Sequence, residues 1–562
     1  MANLRAAWET EGISQALAAR WIDPSYGGDP IRNPDALHTG RNMYGFDPSR
    51  IPTKAAYEAG KQSLQQLIAS HQAAHGKPPE KLAFTMWSTE TMRHLGMLES
   101  QILFAMGVKP QWDEGGRVVG MEVIPISMLG RPRIDAVISL TGLYRDQFPN
   151  VMERFNEAIS LLANLDETEA QNQIKANTQR IQKALIAKGV TPKDATEFSL
   201  TRIFGNESGD YGTQLTDATL SSDRWEEGDG KLERMYLSRL SWGYGPNTDN
   251  WSRKLKDSNG QEVNAFAEHL RGTNAAVFSR SSNLRGLLDT DHPFEYLGGL
   301  SMAVKYLDGK NPQLYISNMR DPARAKLETA EKFLATELRS VYQHPNWMKE
   351  MQKEGYAGTL QMLNTVNNFW GWQVMDRNMV RNDQWQEFHD SYVRDRYQLG
   401  LRSWFEKSNA TALAQIAERM LEAIRKDYWQ ADDRTRRELV SLYRDIASRH
   451  DVVSSNETFK AYVNELAFGY GLDQSTSPKV STQPQQKPSL ATSVDTPSPQ
   501  TQPPSPLVRG QEMREVEKTA RIADLIWTYA WLMTLVILAG VGFQAWRTYR
   551  EKSLHQTEPL RT

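Results

Sequence analysis

From about residue 55 onward, short and continuously apolar runs alternate with longer stretches whose apolar residues return every three or four positions. "KLAFTMW" (Lys81–Trp87) is the first such run and reads as a buried strand. The chain turns at Ser88-Thr89-Glu90, where Ser88 or Thr89 can cap a following helix. Leu95, Leu98, Ile102 and Ala105 then recur at helical spacing, and Gly107 ends that helix. "VVGMEVI" and "IDAVISL" read as two more strands, and "TGLYRDQF" leads into a helix with Phe148, Met152, Phe155, Ile159 and Leu162 on one face. Strand–helix–strand order with continuously apolar strands predicts parallel pairing and helices on both faces. A second unit repeats the logic with "NAAVFS" and "PQLYIS". In such sheets ligands bind beyond the carboxyl ends of the strands. The expected rim is therefore Trp87–Glu90, Thr141–Asp146, Arg280–Asn283 and Asn318–Asp321.

The flanks of this pattern differ. "MANLRAAWETEGISQALAARW" has charges throughout, so it reads as an amphipathic helix and not a signal peptide, and Met1 is open to being an internal start. Gly27 to Pro48, "GGDPIRNPDALHTGRNMYGFDP", has three prolines and little apolar periodicity, which excludes a buried helix or central strand. A loop this polar is either slack or built to hold something. From about Ala323 to Leu472 the pattern is mostly helical, with aromatic residues expected in its core. Ser475–Leu507 is rich in Pro, Ser, Thr and Gln and reads as a tether. Leu525–Trp546, "LIWTYAWLMTLVILAGVGFQAW", carries no charge. As a helix it would be about 33 Å long, enough for a hydrocarbon core of about 30 Å, and Trp527, Tyr529, Trp531, Trp546 and Tyr549 supply aromatic belts.

The expected class is thus α/β: parallel-sheet units with flanking helices, a mostly helical C-terminal region and one transmembrane helix. Its parts are a leading segment with the polar loop (1–54), an α/β domain (55–200), a second α/β unit (201–322), a helical region (323–472), a disordered linker (473–515) and the membrane helix (525–546). Composition changes this picture little. Charged residues at 24% and a formal net charge of −2 give a nucleic-acid role no electrostatic footing. The absence of cysteine removes disulfides, thiolate metal sites and cysteine nucleophiles. Arg509, Arg514, Lys518 and Arg521 before the apolar segment balance Arg547, Arg550, Lys552 and Arg561 after it, so charge does not orient it. The missing cysteines and the long tether tilt the expectation to a single-pass inner-membrane protein with its body on the periplasmic side.

No phosphate-cradling glycine loop with lysine, no G-x-S-x-G and no H-E-x-x-H occurs, so neither an ATPase nor those hydrolases is indicated. His71 and His75, four apart on a helix, can form a metal face but lack an acidic third ligand, so solvent exposure is the favoured reading. "DTDHPFEY" groups Asp289, Asp291 and His292, which can hold a hard or borderline metal. By itself that stretch reads more simply as a helix start, with Asp291 or His292 near the cap and Pro293 in the first turn. "FGNESGDYGTQLTDA" (Phe204–Ala218) either closes over a flat ligand or connects two elements.

Seven segments in order, "GGDPIRNPDALHTGRN", "DPSRIPTKAAYEAG", "LGRPRIDAVISLTGLYRDQFPNV", "FGNESGDYGTQLTDA", "MYLSRLSWGYG", "YLGGLSMAV" and "EGYAGT", resemble the CobN/magnesium-chelatase H family, the large tetrapyrrole-binding subunits of metal chelatases. The resemblance runs from about Tyr26 to Trp429 and corresponds to about the C-terminal half of the family's length. The family's upstream "HGTHG" segment has no counterpart in it, which implies an incomplete site. The resemblance implies that the Gly27–Pro48 loop lines a tetrapyrrole cleft. Arg32 and Arg41 would clamp the ionised side-chain carboxylates. His38 would accept a pyrrole proton or hold the metal, and Asp29 and Asp35 would guide the cation. Glu207 joins that catalytic group, and Asn42, Trp87, Arg145 and Tyr211 join the binding group. The implied activity is insertion of a metal ion into a tetrapyrrole, with ATP supplied only through separate AAA+ ATPase subunits. A membrane-anchored dechelatase that removes iron from haem, and a non-catalytic tetrapyrrole-binding module, stay open, as does cobalt against iron. The anchor favours the dechelatase, as do departures such as "SRSSNLRGLLDTDHP".

The loop generates the first prediction. Arg41→Ala weakens porphyrin binding by roughly 1.5–3 kcal/mol through loss of a charged hydrogen-bond partner, and Arg50→Ala has less effect. An optical titration in which Arg41→Ala and the parent chain bind equally well removes the clamp.

Overall fold

The computed structural model describes residues 7–22, 24–26, 40, 42–44, 46–321 and 324–472, with backbone alone for 24–26 and 42–44. They belong to one compact unit, Met1–Ser481; a second, Thr482–Thr562, lies outside the described residues. The expected tether and apolar helix therefore lie outside them too. No helix among the described residues is long and apolar enough to cross a membrane.

Eleven strands are described: β1 (Pro24–Tyr26), β2 (Asn42–Tyr44), β3 (Lys81–Met86), β4 (Val108–Trp112), β5 (Val118–Val123), β6 (Asp135–Leu140), β7 (Ile203–Gly205), β8 (Trp242–Gly243), β9 (Ala275–Arg280), β10 (Gln313–Asn318) and β11 (Lys326–Thr329). Seven form one sheet in the order β11-β10-β9-β3-β6-β7-β8. Its five inner strands run parallel and the two edge strands antiparallel. The strands expected to form two α/β units thus share a single sheet. The reason is burial: β3, β6 and β9 are buried at every position, so each needs a paired neighbour on both sides and cover on both faces. β9 meets that need by pairing with β3 along Leu82↔Ala275 to Thr85↔Phe278.

Alternate side chains from these strands feed two cores. Leu82, Phe84, Met86, Ile138 and Val277 pack with the helices Lys54–His75, Met97–Met106 and Pro149–Ala163. Ala83, Val137, Ala276, Phe278 and Ile316 face the other core, which continues into the helical region after β11. There Trp370, Trp372, Trp385 and Trp429 are fully buried, as expected of its aromatics. Gly60 marks a close helix crossing: a Cβ there would stand 2.4 Å from the Met97 carbonyl oxygen and 2.6 Å from Ser100 Cβ.

Three local expectations change. "VVGMEV" lies outside the sheet, pairing antiparallel with β4 as a two-stranded hairpin; only its first residue is buried, so it needs cover on one side alone. Arg133 ties that hairpin down, with Nη1 donating to the carbonyls of Met106 (3.2 Å) and Gly107 (3.0 Å) and Nη2 to that of Ile124 (2.9 Å). The helix after β3 starts at Ser88 itself, behind Trp87 at the cap position with no side-chain cap, because the Ser88 hydroxyl donates to Gln147 instead. That helix stops at His94; Leu95 and Gly96 take left-handed backbone angles before the Met97 helix begins. The amphipathic helix expected near the N-terminus spans Trp8–Leu17.

A buried ion pair braces the amino end of the sheet. Arg202 Nε donates to Asp135 Oδ1 at 2.9 Å, with both side chains essentially inaccessible, and its Nη2 reaches Thr178 Oγ1 at 3.0 Å. Removing one partner strands the other charge in a low-dielectric interior. Arg202→Met is expected to lower unfolding free energy by about 3–5 kcal/mol. A urea midpoint unchanged from the parent would show that the pair carries no such burden.

Candidate functional site

The carboxyl ends of β3, β6, β7 and β9 bring their following residues to one rim. Trp87, the residue after β3, packs edge-on against Phe278 at 5.1 Å and Tyr296 at 6.1 Å, with the His292 ring 5.5 Å away. The Arg280 guanidinium at the end of β9 lies 5.7 Å from the same indole. Arg280 is buried; Nη2 donates to the Gly286 carbonyl at 2.9 Å and Nη1 sits 3.7 Å from Glu90. Burial pulls its pKa down while Glu90 and Glu337 oppose. Trp87 Nε1, Glu90 Oε2 and Arg280 Nε are buried without a hydrogen-bond partner among the described residues. Buried polar atoms left without a partner suit a polar guest.

Beside Trp87 stands Asp291-His292-Glu295. Asp291 Oδ1 is 2.9 Å from His292 Nδ1, and Glu295 Oε2 is 3.5 Å from it. Thr216 Oγ1 donates to Asp291 Oδ2 at 2.9 Å, and the Thr213 amide and hydroxyl donate to Glu295 Oε1 at 2.5 and 2.7 Å. These bonds leave one oxygen of each carboxylate toward the imidazole. The hydrogen bond from His292 holds Asp291 below the usual carboxylate range, and the same bond holds the imidazole above its ordinary value. One potential ligand atom from each residue lies within 4.8 Å of the others, the only such trio of His, Asp or Glu among the described residues. One nitrogen and two carboxylate oxygens suit a divalent first-row cation. The helix start read from "DTDHPFEY" is present, with the helical turn beginning at His292 and Pro293 next, while Asp289 lies apart from the trio and accepts from the Gly286 amide and from Tyr342 Oη at 3.0 Å.

A second group lies over β6 and β7. Arg145 is buried and its Nη1 donates to the backbone carbonyls of Glu207 (2.5 Å) and Asp210 (3.3 Å). Its Nε donates to Asp146 Oδ1 at 2.7 Å, and Tyr211 Oη donates to Asp146 Oδ2 at 2.6 Å. Burial raises the Asp146 pKa, but the bonds from Arg145 and Tyr211 outweigh it and hold the group low. Arg145 therefore braces the Asn206–Tyr211 loop, where ligand binding was expected of it. Gly142 makes this possible: a Cβ there would meet the Tyr211 ring at 2.5 Å.

Of the residues singled out in the sequence, Trp87, Asp291 and His292 come together, and Arg145 lies 5.4 Å from the Tyr211 ring. Tyr211 and Glu207 are exposed. Asp29, Arg32, Asp35, His38 and Arg41 lie outside the described residues, as does the side chain of Asn42, whose backbone opens β2. His71, expected at the surface, is buried, and its Nδ1 lies 2.9 Å from the Lys77 carbonyl. Sequence reasoning missed Glu295, although its three-residue spacing from His292 on a helix is a usable signal. It also missed Glu99, and it placed Glu90 and Arg280 on the expected rim without giving either a role. Glu99 is wholly buried beneath the rim, accepting from Thr91 Oγ1 (2.6 Å) and Tyr144 Oη (3.1 Å), and burial pushes its pKa up to about 7. Nothing in an apolar helix face announces that role.

A family model described as CobN/Magnesium Chelatase matches residues 1–436. The chain belongs to this family. It is 32% identical to the aerobic cobaltochelatase subunit CobN of Sinorhizobium sp over 425 residues, taking in 75% of this chain and 32% of that relative. It is also 32% identical to the magnesium-chelatase H protein of Cereibacter sphaeroides, over 77% of this chain and 34% of the relative. Among solved structures, the catalytic subunit of cobaltochelatase from Mycobacterium tuberculosis superposes with a TM-score of 0.67 at 29% identity, covering 78% of this chain and 36% of that one. The chain spans about a third of the length of the chelatase relatives it matches. The family and the mixed α/β fold expected from the sequence are thereby established, the fold as one sheet.

The trio gives a pH prediction. His292 is held above its ordinary value, so its pairing contributes fully to stability below an unfolded pKa of about 6.5 and is lost as pH rises through the folded value. Metal binding runs oppositely, because the cation must displace the imidazole proton. Affinity for Co2+ is expected to rise between about pH 6 and pH 8, and His292→Ala to cost about tenfold or more at the upper end. Calorimetry showing a pH-flat affinity, or no loss in the variant, removes the trio as a metal site.

Proposed function

We propose that this chain is the tetrapyrrole-holding part of a large chelatase component and that the rim at the carboxyl ends of β3 and β9 is where metal and macrocycle meet. The observation that carries the reading is the Asp291-His292-Glu295 trio beside the Trp87 indole, in a chain of this family. Insertion requires a flat apolar contact for the macrocycle, a charge partner for its carboxylates, a transient seat for the cation and a sink for two pyrrole protons. Trp87 supplies the flat contact, and Arg280, with an unpaired Nε beside it, supplies positive charge. The polar loop with Arg32 and Arg41 is the proposed clamp for the remaining carboxylates. Asp291 and Glu295 replace part of the hydration shell of the cation. As the cation leaves for the macrocycle, His292, kept basic by Asp291, takes up one displaced proton and the other passes to solvent. One divalent cation replaces two protons, so charge balances.

Energy from ATP would come through AAA+ partner subunits, in keeping with the cobaltochelatase and magnesium-chelatase relatives. A second reading starts from the uncharged Leu525–Trp546 segment, which supports a single-pass anchor in the inner membrane. The absence of cysteine and the long tether favour the body on the periplasmic side, and with that the reverse reaction, iron removal from haem.

Optical titration with protoporphyrin IX tests the site. The chain alone is expected to bind it weakly and to turn over nothing. Trp87→Ala should weaken binding by about tenfold, near 1.4 kcal/mol, whereas His292→Ala should leave it within about twofold. Equal affinity of Trp87→Ala and the parent, or metal transfer by the chain with no added partner protein, would overturn this assignment.

A further inference from the structure

The opposite end of the sheet, at the amino end of β3, carries a separate concavity of about 260 Å³. Lys81, the first residue of β3, forms its floor; the side chain is buried and Nζ donates to the carbonyls of His269 (3.1 Å) and Arg271 (2.8 Å). One wall is the helix Gln173–Ala187, through Gln173, Asn177 and Arg180, and the other is the Arg271-Gly272 turn. The lining has no aromatic or aliphatic residue. It holds three cations against one carboxylate, Glu80, which is engaged at the surface by Lys77 at 2.6 Å.

The arginines are oriented by neutral acceptors. Arg180 donates from Nη2 to the Glu268 carbonyl (3.1 Å) and from Nε to Asn177 Oδ1 (3.3 Å), and Arg271 donates from Nη1 to the Leu307 carbonyl (2.6 Å). The nearest carboxylates stand further off, Glu268 at 3.7 Å and Asp308 at 3.8 Å from Arg271. Each is engaged elsewhere, Glu268 by Lys188 at 2.5 Å and Asp308 by the Gly272 amide at 2.6 Å. Two forks are thus held in place with donors to spare over a buried ammonium group. Burial pushes Lys81 down to about 7; Asp135 and Asp308 oppose this while Arg180 and Arg202 reinforce it, so a negative guest would restore its charge.

We propose that this pocket binds a small, multiply charged oxyanion of the phosphate class, gripped by the Arg180 and Arg271 guanidinium groups above Lys81. Guanidinium forks match such oxygens in pairs. The volume falls below the 300–1,000 Å³ typical of sites for larger organic ligands, and the lining has no aromatic ring on which a nucleobase could stack. Inorganic diphosphate therefore fits better than a nucleotide.

Calorimetry on the full chain with inorganic pyrophosphate tests this. The expected result is saturable binding of one anion per chain, weakened at least tenfold in Arg180→Gln/Arg271→Gln. Both side chains reach the surface, so the double variant should keep the parental thermal midpoint without ligand; Arg180→Gln alone serves if it does not. Protoporphyrin titration of the same variants should be unchanged, which separates this pocket from the rim. ADP is expected to bind more weakly than pyrophosphate. Absence of saturable binding, equal affinity in the variants, or tighter binding of ADP would overturn the proposal.

Discussion

Asn274 and Lys81 set the join on which the rest of the molecule depends. The Asn274 side-chain oxygen accepts from the backbone amides of Glu80 (2.8 Å) and Lys81 (3.0 Å), and the Asn274 amide donates to the Lys81 carbonyl at 3.0 Å. Those three bonds fix where β9 starts against β3, and a parallel pair once started keeps its register because a one-residue slip would exchange its two buried faces. Everything distal to the join follows. Because the strands begin level, they end level, and Trp87, Thr141 and Arg280 arrive at the same edge.

That edge leaves polar groups incompletely satisfied. At the amino end Arg202 Nε pairs with Asp135 Oδ1, while Asp135 Oδ2 is likewise buried without a partner among the described residues. At the carboxyl rim, Glu90 and Arg280 stand 3.7 Å apart, too far for a hydrogen bond, and each keeps an atom without a partner. Burying charged groups without full pairing is costly, so such an arrangement persists only where the surrounding fold over-determines it. Here the constraint comes from below: α/β packing fixes Trp87 against Phe278, and the Gly286 carbonyl fixes Arg280. The trio behaves differently, since its carboxylates are oriented by Thr213 and Thr216 and both face the one imidazole. One half of the rim is thus poised for a ligand with polar edges, and the other for exchange between a proton and a cation.

Legibility in the sequence follows the range of the physics. β3, β6, β9 and β10 and the helix Pro149–Ala163 were readable because apolar continuity and 3.6-residue periodicity are local signals. The rim positions were readable because chain direction alone determines which strand end carries them in a parallel sheet. By contrast, "VVGMEVI" was assigned to the sheet when it belongs to a hairpin. A short β run does not say which neighbour it pairs with, and Arg133 holds the hairpin down through carbonyls that no sequence pattern marks. The bracing role of Arg145 was hidden for the same reason: besides the neighbouring Asp146 carboxylate, its partners are backbone oxygens of a loop more than sixty residues away.

The sequence by itself therefore determined the element types, the family through seven separated segments, and the residue kinds available at the rim, because each is written in neighbouring residues. Only the tertiary structure decided that two expected units share one sheet, that Glu295 completes the group begun by Asp291 and His292, and that Glu99 is buried deeply enough to hold its proton near neutrality. Those outcomes depend on which distant surfaces are brought together and on how much water they exclude, and neither quantity is a property of any local stretch of chain.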